Sequence, residues 1–198
     1  MDPAAYFALL ADVQARLPFA DIVRLAEIML AAQRGGRTVF VFGNGGSAAL
    51  SAHVVCDLAK GIRRAGQPGL RIAALTDNMP LVSAWANDAD YSRVFAEQID
   101  VWGQPGDVAW AVSCSGNSPN VLRALECARD LRMTCVGLGG YQGGRMRALC
   151  DLCVIVPSDH MQVIEDLHHA IAHAVFLRVR AAVQAAAPSP FVAAAGGR

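Results

Sequence analysis

Two imidazoles and two carboxylates in this sequence fall at spacings able to assemble a metal site, and two Ser/Gly-rich stretches fall at spacings able to hold an anion. His53 and Asp57 are four residues apart, which puts them on one face of a helix. Glu165 and His173 are eight apart, again close to one face of a second helix. Such a set from two helices can bind a divalent cation. Spacing alone favours a plainer reading, because His-x-x-x-Asp pairs are frequent on helices. In that reading His53 packs locally, and Glu165, Asp166, His168 and His169 form a solvated helix face. The anion-type stretches are Gly43-Asn44-Gly45-Gly46-Ser47 and Ser113-Cys114-Ser115-Gly116-Asn117-Ser118. The first reads as a glycine turn opening a helix, where unpaired N–H groups and the helix dipole favour negative charge. It is neither a dinucleotide GxGxxG nor a triphosphate GxxxxGK[ST] loop, since no Lys follows the glycines. The second offers Ser113, Ser115 and Ser118 beside another helix start, a density of donors that suits phosphate without a bulky cation. Taken singly, each is also an ordinary turn with one capping serine.

The elements that would position these residues alternate. Apolar residues at helical spacing predict helices over 4–17 and 21–34, separated by Pro18 and ended by Gly35-Gly36. Short apolar runs predict strands at 38–42, 70–75, 107–112, 134–138 and 151–156. Between them come helices at 47–60, 119–131 (with Pro119 at its first position) and near 144–149, and a partly irregular helical region over 79–99. A last helix, capped by Ser158 or Asp159, runs to about 183. The pattern implies one α/β domain with a five-stranded parallel sheet covered by helices on both faces. Residues 1–37 form a helical pair within that domain, 38–184 its α/β body, and 185–198, rich in Ala, Pro and Gly, a disordered tail. In such sheets ligands bind beyond the carboxyl ends of the strands, where strand order reverses. Both Ser/Gly turns directly follow strands, so both lie on that edge, and together they point to a phosphate monoester.

Composition narrows the class. The chain has 198 residues, 17 basic and 17 acidic, so it lacks the basic excess of a general nucleic-acid binder. Hydrophobic residues make up 54%, yet no uninterrupted apolar run approaches the roughly 18 residues that span a bilayer. The surplus is mostly Ala and Val and predicts buried helix faces and a subunit interface. The N-terminus shows no secretory signal pattern, and the six cysteines have no framework spacing, so they are expected as reduced thiols in a cytoplasm. Cys150-Asp151-Leu152-Cys153 has CxxC spacing but enters an apolar strand with no second pair, which favours a structural role.

In order along 38–180, these motifs resemble the sugar isomerase (SIS) domain, in particular the phosphoheptose isomerases, whose fold is flavodoxin-like. The resemblance rests on Gly43 to Ser47 with His53 and the acid at 57, on Ala74-Leu75-Thr76-Asp77, and on Ala86-Asn87-Asp88. It continues through Tyr91-Ser92-Arg93-Val94-Phe95 with Gln98, Ser113 to Ser118 with Asn120, and the helix bearing His168 and His173. It implies isomerisation of sedoheptulose 7-phosphate to D-glycero-D-manno-heptose 7-phosphate by a cytoplasmic homotetramer with metal sites near subunit interfaces. It further implies substrate binding by Asn44, Gly45, Gly46, Ser47, Asn87, Asp88, Ser113, Cys114, Ser115, Ser118 and Glu165. Metal ligation falls to His53, Asp57, Glu165 and His173, and catalysis to Asp57 and His173. The family has Glu where Asp57 stands and Gln-Glu where Glu165-Asp166 stands. The remaining donor set suits zinc, and also iron, manganese or nickel. Two alternatives remain: a non-catalytic sugar-phosphate-binding regulator or replication-initiator-associated protein, and an isomerase of a different phosphosugar.

Overall fold

The computed structural model of the protein describes residues 1–186. Two helices, α1 (Pro3–Ala15) and α2 (Phe19–Arg34), precede strand β1 (Thr38–Gly43). Then follow α3 (Gly46–Gly61), β2 (Arg71–Ala74), α4 (Met79–Asp88), a 3₁₀ turn (Tyr91–Arg93) and α5 (Ala96–Trp102). The second half contains β3 (Val108–Ser113), α6 (Pro119–Asp130), β4 (Thr134–Gly139), α7 (Met146–Leu149), β5 (Leu152–Ile155) and α8 (Met161–Ala185). All strand pairings are parallel and the order is β2-β1-β3-β4-β5, the flavodoxin-like arrangement. The predicted sheet and helical pair are therefore observed, with boundaries moved by at most two residues. The expected tail from Ala185 begins inside α8, and its remainder, 187–198, lies outside the described residues.

The central strands are buried on both faces, so they read as continuous apolar runs. Side-chain alternation still sorts them. Val39, Val41, Trp110 and Leu138 join one core with α1, α2, α3 and α8, while Phe40, Phe42, Ala109 and Ala111 join a second with α4, α5 and α6. Among the described residues no helix is long and apolar enough to cross a membrane.

Two local expectations are corrected. Neither Ser158 nor Asp159 caps α8: His160 takes that position, and the Ser158 hydroxyl instead accepts the His160 N–H at 3.1 Å. His168 is not solvated. It is 1% exposed on the inner face of α8, and its Nε2–H donates to the Gly139 carbonyl at 3.0 Å. Burial pushes its pKa down from 6.5 to about 4, with a smaller contribution from neighbouring His169 and against the opposing effect of the Gly139 bond. A native pKa below the unfolded one means that the neutral form is favoured in the fold. Its stability contribution is complete above pH 6.5 and is lost as pH falls toward 4. Urea denaturation between pH 7 and 4 should accordingly show a loss of about 3 kcal/mol that His168→Gln removes from the pH profile.

Candidate active site

The strand order reverses between β1 and β3, and both Ser/Gly loops leave the sheet there, from adjacent strands paired Gly43 to Val112. The β1 turn approaches its neighbours closely. A Cβ on Gly43 would lie 2.6 Å from the Val112 carbonyl oxygen and 2.7 Å from Ser47 Cβ, so only glycine fits. The loop after β3 is braced from outside. Met146 N–H donates to the Gly116 carbonyl (2.9 Å) and Arg145 N–H to Asn117 Oδ1 (3.0 Å). Gly116 has φ +64°, and a Cβ there would sit 2.0 Å from the Gly143 carbonyl oxygen.

A cavity of about 170 Å³ opens between the loops, lined by Asn44, Ser47, Val112, Ser113, Cys114, Ser115, Ser118, Met161 and Glu165. The serine hydroxyls are partly committed as acceptors: Ser113 Oγ takes the Gly116 N–H and Ser115 Oγ the Asn117 N–H, both at 3.2 Å. An oxygen occupied in this way keeps its own O–H to donate. Ser118, the residue before α6, lines the cavity and makes no side-chain capping bond, so its hydroxyl is not committed to the helix, whose Val121 and Leu122 N–H groups are taken by Asn120 Oδ1 and the Ser118 carbonyl. Cys114 stays a neutral thiol, because burial first and the Glu165 charge second raise its pKa to about 11. The donors are thus neutral hydroxyls, an amide and a helix start, and the one charged group in the lining is the Glu165 carboxylate. A larger open depression of about 600 Å³ lies beside Arg16, Tyr141 and Asp159 and contains none of the predicted site residues.

Helices α3 and α8 pack in parallel, which carries the site onward from the cavity. Glu165 lies against Gly46 at the start of α3, and Phe176 against Gly61 at its end. Between these contacts the His53 ring stands 5.0 Å from His173 and 6.1 Å from His169. The Nε2 atoms of His53 and His173 are 2.8 Å apart, and Asp57 Oδ2 is 3.4 Å from the first and 3.7 Å from the second. These three residues form the group of potential metal-binding side chains among the described residues. Two imidazoles and one carboxylate that converge with an open side match the donor chemistry of a three-ligand divalent site. Glu165 is not brought into this group. It lies two helical turns from His173, about 12 Å along the axis, at the cavity instead. Asn87 and Asp88 are exposed at the end of α4, where Asn87 donates to Asp88 at 2.8 Å, and they do not line the cavity.

The SIS domain model matches residues 5–140. The phosphoheptose isomerase of Rhodospirillum rubrum is 41% identical over 154 residues, covering 77% of this chain and 80% of the relative. That of Paramagnetospirillum magneticum is 42% identical over 167 residues, covering 84% of each. The chain belongs to the SIS family, in its phosphoheptose isomerase branch. The solved phosphoheptose isomerase of Neisseria gonorrhoeae superposes with a TM-score of 0.84 at 29% identity, covering 90% of this chain and 96% of that one. Within this family fold, two residues that the sequence shows only as parts of motifs contribute to the site. Asn120, 2% exposed, exchanges two hydrogen bonds with Asn44, and Tyr91 donates to Asn44 at 3.1 Å. The available signal for Asn120 was an amide at the start of the apolar face that Val121, Ala124 and Leu125 continue.

The bracing of the SIS loop gives a direct test. Gly116→Ala should destabilise the protein by at least about 3 kcal/mol in urea denaturation, through positive φ and backbone overlap together. Wild-type stability would show that the Gly143 segment does not hold this loop.

Proposed function

We propose that this protein is a phosphosugar aldose–ketose isomerase that converts sedoheptulose 7-phosphate to D-glycero-D-manno-heptose 7-phosphate through an enediol. The observation that carries this reading is one helix, α3, that begins at a neutral donor cavity and further along presents His53 and Asp57 to His173. Ser47 and His53 are six residues apart, about 9 Å along the axis. The body of a sugar phosphate spans that separation and an inorganic phosphate does not.

In this reading Ser113, Ser115 and Ser118, with the start of α6, take the phosphate, while Gly45, Gly46, Ser47 and the Cys114 backbone line the path of the carbon chain. Glu165 repels the phosphate from the start of α3 and accepts hydroxyls of the carbon chain. Asn87 and Asp88, close in sequence to the Tyr91 that reaches Asn44, are assigned to sugar hydroxyls as well. Binding energy at the phosphate end thereby orients reacting carbons several bonds away. Asp57 takes the C1 proton of the ketose and, after exchange with solvent, delivers a proton to C2, while His173 moves a proton between the two oxygens. A divalent ion, zinc in the first instance, held by His53, Asp57 and His173, would polarise the carbonyl and neighbouring hydroxyl. We further propose a cytoplasmic homotetramer. Phe7 and Phe19 on the first two helices are 65% and 59% exposed, surface that suits burial against further copies.

Incubating the metal-supplemented protein with sedoheptulose 7-phosphate and with five- and six-carbon ketose phosphates, followed by product NMR, separates the readings. The seven-carbon substrate should turn over fastest, and chelation should abolish its conversion. Asp57→Asn and His173→Ala should each lose at least about 100-fold in kcat with an unchanged melting temperature. Wild-type turnover by either variant would overturn these roles. Tight binding without turnover of any of these sugars would point to a regulatory binding protein.

A further inference from the structure

We infer that Asn120 is a positioning residue that fixes the polarity of the Asn44 carboxamide, so that Asn44 can offer the bound ligand only an N–H donor. One group beside Asn120 cannot be turned around. The Val121 backbone N–H donates to Asn120 Oδ1 at 3.0 Å, and a backbone N–H can only donate. Asn120 must therefore keep its oxygen on that side and its Nδ2 on the other. Its oxygen also accepts Asn44 Nδ2 at 2.9 Å, and its Nδ2 donates to Asn44 Oδ1 at 2.8 Å. Any flip of Asn44 alone would set oxygen against oxygen and N–H against N–H. Tyr91 adds a second constraint by donating its hydroxyl to the same Asn44 Oδ1 at 3.1 Å.

Both lone pairs of Asn44 Oδ1 are then used, and one of its two Nδ2 hydrogens is used, leaving a single N–H. Asn44 lines the cavity with Ser113, Ser115 and Ser118, whereas Asn120 and Tyr91 do not. A carboxamide free to rotate could meet a ligand with either its oxygen or its nitrogen. Held in this way it meets acceptors only, which favours phosphate or sugar oxygens presented as lone pairs. Asn120 is also 2% exposed, in a region of α6 otherwise filled by apolar side chains. A buried amide there costs desolvation unless every bond is made, and the Asn44 pair makes those bonds.

This inference rests on the sugar-phosphate reading of the cavity, and the test keeps the two apart by measuring affinity as well as turnover. Sedoheptulose 7-phosphate is titrated calorimetrically into wild type, N120A, N120D, Y91F, N44A and the N44A double variants, and kcat and KM are measured in parallel. N120A should weaken affinity and kcat/KM by roughly 10- to 100-fold and Y91F by roughly three- to tenfold, the range for one or two lost hydrogen bonds. N120D keeps the shape but sets an oxygen against Asn44 Oδ1, so it should lose at least as much as N120A. A merely space-filling role predicts near-wild-type behaviour for N120D. On top of N44A, each loss should shrink below about twofold, because the residue acts only through Asn44. Losses undiminished in the N44A background, or N120D with wild-type affinity, would overturn the inference. Should the buried Asn120 variants fail to fold, the exposed Tyr91 carries the same cycle through Y91F. A wild type that binds the sugar without turning it over would count against the isomerase reading alone, and the cycle would still be read in the affinities.

Discussion

The parallel pairing of β1 with β3 is the constraint on which the rest of this site depends. The crossover from β1 to β2 sends the chain one way, and the return to β3 on the other side leaves a crevice above their carboxyl ends. Two loops far apart in sequence must meet there. Their contact is made by backbone where Gly43 meets Val112, and by side chains where Asn44 meets Asn120. Without the first the second could not form, and the serine loop would have no fixed partner.

The charge arrangement follows from this geometry. The cavity gathers hydroxyls, an amide and a helix start, while its sole charged side chain is acidic. A phosphate at the serine end and a neutral hydroxylated chain toward Glu165 satisfies both ends, whereas an anion against α3 would meet the Glu165 carboxylate. The parallel packing of α3 on α8 then sets how far the His53, Asp57 and His173 group lies from that cavity. Asp57 reaches within 4 Å of both imidazoles.

Much of this was legible in the sequence, because it depends on period and punctuation. The five apolar runs, the glycine turn and the Ser-Pro helix start specify the sheet, its loops and the binding edge. What was not legible depends on side-chain partners from distant segments. His168 shares a polar stretch with Glu165, Asp166 and His169, and only the helix's rotation against β4 decides that it alone turns inward. Glu165 and His173 share a helix face, yet a face two turns long touches the start of α3 at one end and His53 at the other. Spacing gave the face and could not give the position along it. Asn120 stands in a motif of the sequence, but its role could not be read there for the same reason, since its partner is 76 residues away.

The most direct test of the account is isomerisation of sedoheptulose 7-phosphate in deuterium oxide, with the product examined by NMR. Proton transfer by Asp57 between C1 and C2 through an enediol predicts an aldose heptose 7-phosphate that carries solvent deuterium at C2, with the phosphate end unlabelled. Conversion without any deuterium at C2 under conditions of complete solvent exchange, or no conversion by protein that binds the sugar with its metal in place, would contradict it.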